Sequence, residues 1–307
     1  MIEEDEVAER GLMNIPIPGG QHGLFERLFG ELRPKLHRYC ARMTGSVFDG
    51  EDVLQETLAK AIEALPGAGP IANPEGWLFR IAHNAALDFL RRRAREKAYS
   101  DEDLDMIVDP ANPTIDRQAA SAGLHTFMRL PVTQRSSVIM MDVLGYSLQE
   151  ICATLDTSIP AVKAALHRGR DRLRQIAHEP DDRPLPRLGA AERQLLNAYI
   201  DRFNARDFDA VRDMLAEEVR LELVAKTRLN GRKEVGTYFG NYSRVRDWHL
   251  VPGFVENRPA ILVRDPNDPT ARTTYFILLA WQDGRLAAIR DFRHARYVAD
   301  GAEMLVL

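Results

Sequence analysis

The sequence predicts a multidomain protein that is all-α in its first part and α+β in its last third. Three observations predict this division. Apolar residues recur at helical spacing up to about residue 178. A charged, proline-rich stretch, EPDDRPLPRL at 179–188, then interrupts the pattern. Beyond it, two helical segments precede several runs in which apolar and polar residues alternate, as they do in strands.

Composition is that of a soluble globular protein. The chain has 307 residues, of which 45% are hydrophobic and 28% charged, and its net charge is −4. A nucleic-acid site must therefore be a local feature. The two cysteines lack metal-ligand spacing, which favours buried thiols over a disulfide. No run is long and apolar enough to span a bilayer, and the acidic start is not a signal peptide. We expect a cytoplasmic protein with no membrane segment, metal or cofactor.

Breaks in the helical and strand patterns divide the chain into six segments. They are a flexible lead over 1–21, a helical domain over 22–97, a linker over 98–115, a second helical domain over 116–178, a linker over 179–188 and an α+β domain over 189–307.

One helix of the first domain has a polar outer face. Its sequence, DGEDVLQETLAKAIEALPG, places Asp49 at the expected N-cap and ends at a Pro-Gly pair. Taken alone, the outer face is a solvated surface. Its polar residues are Asp52, Gln55, Glu56 and Lys60.

The next helix, PEGWLFRIAHNAALDFLRRRAREK, has two distinct faces. Helical spacing predicts one buried face, made of Leu78, Ile81, Ala85 and Phe89. The other face combines an aromatic ring, an amide and several arginines, which suits backbone phosphates and an unstacked base. A buried tryptophan beside a basic helix end accounts for the pattern equally well. This second face consists of Trp77, Arg80, Asn84, Asp88 and Arg91.

Residues 147–174 predict a helix-turn-helix. Ser147 and Glu150 have capping-box spacing, and Ser158 precedes a second helix with Pro160 in its first turn. The second helix has an apolar inner side and a basic outer side, as in a helix that enters the major groove of DNA. An amphipathic hairpin with a solvated basic face is the alternative. The outer side carries Lys163, His167, Arg168, Arg170, Arg172 and Arg174.

The last third predicts helices over about 189–205 and 208–217, followed by strands. We expect a first strand in EVRLELVA and then, after a helical or irregular segment, four more in WHLVPGFVE, PAILVRD, TTYFILLAWQ and GRLAAIRDFRH. The Asp283-Gly284 pair is a hairpin signal. Helices followed by an antiparallel meander give an α+β cone.

Three of these motifs, in this order, resemble those of an extracytoplasmic-function RNA polymerase sigma factor. DGEDVLQETL is similar to the core-binding helix of the first sigma domain, and WLFRIAHNAALDFLRRR is similar to its promoter-melting helix. The stretch from LPVTQRSS to the end of the helix-turn-helix is similar to the second sigma domain. The resemblance covers roughly residues 22–178. It implies two all-α sigma domains, binding to core RNA polymerase and promoter DNA, and no catalysed reaction.

The resemblance also assigns roles by position. It implies docking on the clamp helices of the largest polymerase subunit through Asp52, Gln55 and Glu56. It implies contact with the minus-ten element through Trp77, Arg80, Asn84, Asp88, Arg91 and Arg92. A flipped base of that element would be held largely by the loop at about 66–76. Contact with the minus-thirty-five element is implied for Lys163, Ala164, His167, Arg168 and Arg170.

With RFNARDFDAV and IRDFRHARYV, residues 189–300 resemble a SnoaL-like domain of the nuclear-transport-factor-two superfamily. This resemblance implies a cone-shaped α+β fold with a pocket, and we expect the domain to regulate the sigma domains. Ligand sensing, a mechanical role and general acid–base catalysis are all open for it. Its candidate pocket residues are Trp248, His249, Tyr275, Trp281, Asp291, Arg293 and His294.

The sequence favours a sigma factor over two alternatives. A one-component helix-turn-helix regulator with a small-molecule-sensing C-terminal domain would need neither the core-binding helix nor the promoter-melting helix. A bifunctional protein with an enzymatic last domain would need a pocket with a perturbed acid or base. The expected partners are therefore core RNA polymerase, promoter DNA and a candidate small-molecule ligand of the C-terminal domain.

Overall fold

A computed structural model describes residues 22–98, 123–179 and 185–307. These residues form two compact units, one ending at residue 179 and the other made of the third range. The predicted N-terminal lead, most of the first predicted linker and part of the second lie outside the described residues. So does the start of the second predicted helical domain. Among the described helices, none combines the length and the apolar character that crossing a membrane requires.

The first unit is all-α, as predicted. Its first helix is continuous through Pro34. Between the fifth and sixth helices the chain makes a π-type turn over Ile139–Val143. The described helices are α1 His22–Thr44, α2 Val47–Ala64, α3 Pro74–Ala98, α4 Leu124–Met128, α5 Val132–Val138, α6 Leu148–Leu155 and α7 Ile159–Ala177.

Helix α2 begins earlier than the sequence predicted. Its N-cap is Ser46, whose hydroxyl accepts hydrogen bonds from the N–H groups of Phe48 and Asp49. The prediction of Asp49 as the cap was wrong because Val47 and Phe48 are both buried and extend the apolar face back to Ser46. Asp49 lies in the first turn, where it complements the helix dipole and pairs with Arg93 at 2.8 Å.

The buried face of α3 is rotated relative to the prediction. Two of the four predicted residues are buried, but Ile81 and Phe89 are half-buried. Phe79 is fully buried instead, and its ring lies edge-on to that of Tyr39 in α1, with the centroids 5.8 Å apart. The aromatic contact with Tyr39 turns α3 towards Phe79, because an edge-to-face ring pair is favourable beyond the area that it buries.

The second unit is α+β, as predicted. Two helices precede the sheet, and a third lies between its second and third strands. The helices are α8 Ala190–Asn204, α9 Phe208–Asp213 and α10 Arg232–Arg244. The strands are β1 Leu215–Leu223, β2 Thr227–Asn230, β3 His249–Val255, β4 Arg258–Arg264, β5 Thr273–Gln282, β6 Arg285–Asp291 and β7 Met304–Val306.

Within residues 185–307 the strands form one sheet in the order β2-β1-β6-β5-β4-β3-β7. Strands β3 to β6 form the predicted antiparallel meander. Asp283 and Gly284 both have positive φ, as a tight hairpin turn requires. Strand β1, for which no partner was predicted, pairs in parallel with β6. The long segment between these strands allows that pairing. Strand β1 begins at Leu215, in a stretch predicted to be helical, and the short edge strands β2 and β7 were not predicted.

Aromatic side chains fill the interior of the second unit. Phe203 of α8 lies at their centre, with its ring edge-on to four others at centroid distances of 5.0 to 6.1 Å. Those four belong to Phe208, Phe239, Tyr242 and Trp248. This packing holds α10 over the sheet and turns the α10 tyrosines towards β5 and β6.

Candidate nucleic-acid interface

The helix-turn-helix forms as predicted. The Ser147 hydroxyl accepts a hydrogen bond from the Glu150 N–H, and the Glu150 carboxylate accepts one from the Ser147 N–H at 2.8 Å, which completes a capping box. The C-cap of helix α6 is Asp156, whose φ of 52° is left-handed. Ser158 then caps α7 by accepting a hydrogen bond from the Ala161 N–H. Local chemistry therefore fixes both helices and the turn between them.

Helix α7 has a basic outer face. The inner side that the sequence predicts is buried, and it contains Val162, Leu166, Gly169 and Leu173. Lys163, His167 and Arg168 are exposed on the other side, and Ala164 is half-buried. These residues lie in the N-terminal half of the helix, which is the part of a recognition helix that contacts base edges.

Arg170 differs from its neighbours on α7. Its guanidinium makes a two-point contact with the Asp142 carboxylate, with Nε 2.9 Å from Oδ2. The Asp142 side chain is 1% exposed, whereas that of Arg170 is 23% exposed, so the carboxylate is buried beneath its cation. Because an unpaired buried carboxylate is strongly destabilising, the pair fixes α7 to the π-type turn that precedes α6. Arg170 therefore has a structural partner inside the protein.

The six predicted residues of α3 share one side of the helix, because their spacing follows the helical repeat. Asn84 is exposed on this side and Trp77 is half-buried. The three arginines of the set have acceptors within the unit. One of them, Arg80, donates a hydrogen bond to the carbonyl oxygen of Ala153 in α6.

Charged residues link the outer faces of α2 and α3. The Glu56 carboxylate accepts from Lys60 and from Arg92, each at 2.8 Å. Lys60 lies 3.5 Å from Asp88, which pairs with Arg91 at 2.9 Å. Hydrogen bonds from Arg92 and Lys60 outweigh the partial burial of Glu56 and lower its pKa. We call these five residues the α2–α3 charge chain.

The residues predicted to bind polymerase lie on α2. Asp52 is exposed, and Gln55 and Glu56 are half-buried. Gln55 Nε2 donates to Glu51 Oε1 at 3.3 Å. Glu51, which the sequence did not single out, is fully buried, with Arg33 of α1 at 3.7 Å. Gln55 is thus held by the buried Glu51, while Asp52 is exposed at the surface.

Tyr146, just before α6, packs on α1 and α3. Its hydroxyl donates to the Glu75 carboxylate, which also accepts from Lys35 at 2.5 Å. The Tyr146 ring lies edge-on to that of Phe79 at 5.2 Å, and Lys35 Nζ lies 4.2 Å from its centroid. Burial opposes ionisation of Glu75, but the hydrogen bonds from Lys35 and Tyr146 outweigh it and lower the Glu75 pKa.

A buried arginine links α5 to the end of α1. Arg135 of α5 is 4% exposed and donates to the carbonyl oxygen of Met43, near the end of α1, at 2.5 Å. It also donates to the Leu130 carbonyl oxygen at 3.0 Å. Burial lowers the Arg135 pKa to about 10, so the group remains cationic at neutral pH and favours the C-terminal end of α1. We call the Tyr146–Glu75, Arg135–Met43 and Arg80–Ala153 bonds the closing contact.

In the second unit, a buried carboxyl group gathers tyrosine hydroxyls. Tyr238 and Tyr242 donate to Asp291 Oδ2 at 2.6 and 2.7 Å, and the Arg293 N–H donates to Oδ1 at 2.8 Å. The Arg293 guanidinium donates to the Tyr275 hydroxyl at 2.8 Å. Burial raises the Asp291 pKa, and the hydrogen bonds from the tyrosines oppose that rise. We call this group the Asp291 cluster.

The structure brings some of the predicted pocket residues together and leaves others apart. Those at or beside the Asp291 cluster are Trp248, Tyr275, Asp291 and Arg293. Trp248 adjoins it by donating from Nε1 to the Tyr242 carbonyl oxygen at 3.3 Å. His249 and His294 are exposed, and Trp281 is half-buried.

Sequence reasoning missed Tyr238 and Tyr242. Their four-residue spacing places them on one face of α10, but the sequence does not distinguish a helix from an irregular segment there. Tyr199 of α8 is fully buried. Its hydroxyl has no hydrogen-bond partner among the described residues. Burial raises the pKa of this hydroxyl, and the negative charge of Asp291 raises it further.

Two family models match the helical unit. The model described as Sigma-70 region 2 matches residues 28–96, which span most of α1 to α3. The model described as Sigma-70, region 4 matches residues 124–173, which span α4 to most of α7. Both therefore fall on the helices that carry the predicted polymerase-binding and DNA-binding residues, in the predicted order.

Known proteins are similar to parts of this chain. The ECF RNA polymerase sigma factor SigG of Mycobacterium tuberculosis is 30% identical over 217 residues, covering 62% of this chain and 59% of SigG. The match thus spans less than two thirds of SigG. A crystal structure of a SnoaL-like protein of unknown function from Burkholderia thailandensis has a TM-score of 0.28 and 22% identity, covering 34% of this chain and 96% of that one.

A third protein is matched over most of its length. The ECF RNA polymerase sigma factor SigM of Mycobacterium tuberculosis is 33% identical over 160 residues, covering 51% of this chain and 79% of SigM. Two sigma-70 regions in the correct order and this extended identity agree with the helix-turn-helix and the α2–α3 pair described above. The chain therefore belongs to the family of extracytoplasmic-function RNA polymerase sigma factors.

Proposed function

We propose that this protein is a sigma factor that binds core RNA polymerase, recognises a promoter and opens it. The observation that supports this most strongly is the presence, in one helical unit, of two different surfaces. One is the α7 outer face of a helix-turn-helix, and the other is the α2–α3 pair with its acidic and arginine-bearing sides. A stand-alone regulator needs the first surface alone. The proposal involves no reaction catalysed by the protein itself.

Polymerase binding is assigned to the outer side of α2. Asp52 is exposed there, and Glu56 is ionised because its pKa is lowered. Two carboxylates and the Gln55 amide suit a basic partner surface, since complementary charge both speeds association and fixes orientation.

Promoter recognition is assigned to α7 and α3. In the minus-thirty-five element, Lys163 and Arg168 would bind phosphates, while Ala164 and His167 would lie near base edges. In the minus-ten element, Trp77 would stack on an unpaired base and Asn84 would contact base or backbone. Arginines farther along α3 would hold the strand by its phosphates. Flipping a base costs a few kcal/mol, which stacking and hydrogen bonding must offset.

The closing contact must break before both elements are read. They lie about 25 base pairs apart, which is about 85 Å at 3.4 Å per base pair. In the unbound protein, however, α3 and α6 touch through Arg80 and Ala153. The two DNA-reading helices are therefore too close to span the promoter. We propose that the free energy of polymerase binding drives the separation of these two helices.

Regulation is assigned to the C-terminal unit, and its candidate small-molecule ligand to the Asp291 cluster. The Tyr199 hydroxyl is buried without a hydrogen-bond partner among the described residues, beside a buried carboxyl group. A polar group of a ligand would satisfy that hydroxyl, and leaving it unsatisfied is unfavourable. Because the Asp291 cluster lies among packed aromatic rings, a ligand there would have to be small.

The first prediction concerns polymerase binding. An Asp52→Ala/Gln55→Ala double substitution should weaken binding to core RNA polymerase by about tenfold, because it removes the exposed part of the α2 surface. Purified core polymerase titrated with labelled protein measures the affinity. Glu31→Ala, at an exposed position on α1, is the control and should bind like the unaltered chain. Equal binding by the double variant, or no binding by the unaltered chain, would contradict the proposal.

The second prediction separates a DNA contact from a structural contact on α7. Lys163→Ala should weaken promoter binding by the holoenzyme and reduce the slope of log affinity against log salt by about 0.9, without lowering stability. Arg170→Ala should lower the free energy of unfolding by about 3 kcal/mol, because Asp142 would stay buried without its cation. Urea unfolding and salt titrations measure the two effects. An Arg170→Ala protein as stable as the unaltered one would refute the structural role.

The third prediction concerns the C-terminal unit. Removing residues 179–307 should change the transcript yield of reconstituted holoenzyme at a cognate promoter, because the unit regulates the helical part. Run-off transcription at matched protein concentrations measures the yield, and the polymerase affinity of the shortened chain serves as its control. An unchanged yield across promoters and conditions would show that the unit has no regulatory role.

A further inference from the structure

The α2–α3 charge chain joins two surfaces with different proposed partners. Glu56 belongs to the proposed polymerase-binding side of α2, whereas Arg91 and Arg92 belong to the proposed DNA-binding side of α3. In the unbound protein both arginines are paired with carboxylates. Lys60 connects the two carboxylates, at 2.8 Å from Glu56 and 3.5 Å from Asp88.

Glu56 is the member of the α2–α3 charge chain that both surfaces share. One of its carboxylate oxygens, Oε1, contacts Lys60 and the other, Oε2, accepts from Arg92. A cationic group on polymerase that bound this carboxylate would therefore compete with one of these two partners. Lys60 has Asp88 as a second acceptor nearby, while the Arg92 guanidinium would suit a DNA phosphate, which it can bind at two points.

The pairing is weak enough to be exchanged. The Glu56 side chain is 28% exposed and that of Arg92 is 47% exposed. Ion pairs at such exposure contribute little to stability, because water and salt screen them. The fold therefore does not depend on this bond.

We propose that Glu56 is a switchable acceptor, which holds Arg92 away from DNA in the free protein and releases it when polymerase binds Glu56. This inference rests on the proposed function, since it uses the polymerase-binding side of α2 and the DNA-binding side of α3. Polymerase binding and DNA binding then favour each other through one carboxylate. Coupling between sites is reciprocal, so removing the internal competitor must strengthen polymerase binding.

The same two helices provide a matched control pair. Asp49 of α2 and Arg93 of α3 are also 2.8 Å apart, with side chains 20% and 43% exposed. Asp49 lies outside the proposed polymerase-binding set. Arg93→Gln breaks this pair and changes the charge of the unit by the same amount as Arg92→Gln. It releases no carboxylate of the proposed polymerase-binding set.

The decisive variant is Arg92→Gln. It should bind core RNA polymerase more tightly than the unaltered chain by about threefold in the absence of DNA, because Glu56 is then available to polymerase. Arg93→Gln should bind with unchanged affinity. Titration of labelled full-length protein with core polymerase measures both values. An Arg92→Gln affinity that is equal to or weaker than that of the unaltered chain overturns the inference, as does an equal gain in Arg93→Gln.

A second arm measures the restraint on Arg92 directly. Glu56→Gln should raise the affinity of the free full-length chain for a fluorescein-labelled single-stranded DNA by about threefold, because phosphate contacts do not depend on sequence. In an Arg92→Gln background, Glu56→Gln should have no effect on this affinity. The same gain in both backgrounds would mean that the removed negative charge alone was responsible, and would overturn the inference.

The polymerase titration distinguishes a failure of this inference from a failure of the proposed function. If the unaltered chain does not bind core polymerase, the proposed function itself fails. If the unaltered chain binds and Arg92→Gln binds no more tightly, this inference alone fails.

Discussion

The closing contact is the constraint on which the proposed function of the helical unit depends. It consists of a buried guanidinium at the end of α1, a tyrosine hydroxyl on the Glu75 carboxylate, and Arg80 on the last turn of α6. These are polar bonds between two pieces of the unit, residues 22–98 and residues 123–179, and the Tyr146 ring adds an aromatic contact with Phe79. Such bonds are replaced by water when the pieces separate, so their net contribution to stability is modest.

Four arginines of the proposed DNA-binding surfaces have acceptors inside the protein. Arg80 binds a backbone carbonyl, Arg91 and Arg92 pair with carboxylates on α3 and α2, and Arg170 pairs with buried Asp142. These internal bonds differ in strength because they differ in burial. The Arg170 pair is structural, whereas the pairs of Arg91 and Arg92 are exposed enough to exchange for phosphate. Burial thus distinguishes Arg170, which stabilises the unit, from Arg91 and Arg92, which we propose to bind DNA.

Local features were predicted correctly and long-range bonds were not. The capping box at Ser147 and the turn at Asp283-Gly284 follow from a few neighbouring residues, so the sequence alone identifies them. The Tyr146–Glu75 and Arg135–Met43 bonds join residues 71 and 92 positions apart, and no periodicity indicates such partners. The parallel pairing of β1 with β6 escaped prediction for the same reason. Residue roles at the interfaces came from family resemblance, because spacing alone did not distinguish a binding face from a solvated one.

The most direct test of this account is the distance between α3 and α7 before and after promoter binding. Fluorophores attached through cysteines at the exposed positions Arg95 and Ala177, with Cys152 replaced by Ser, report that distance by energy transfer. The account predicts high transfer in the free protein. Adding core polymerase and promoter DNA should increase the separation by several tens of ångströms, because the two elements lie about 85 Å apart. Unchanged transfer in a complex that initiates transcription would contradict the account.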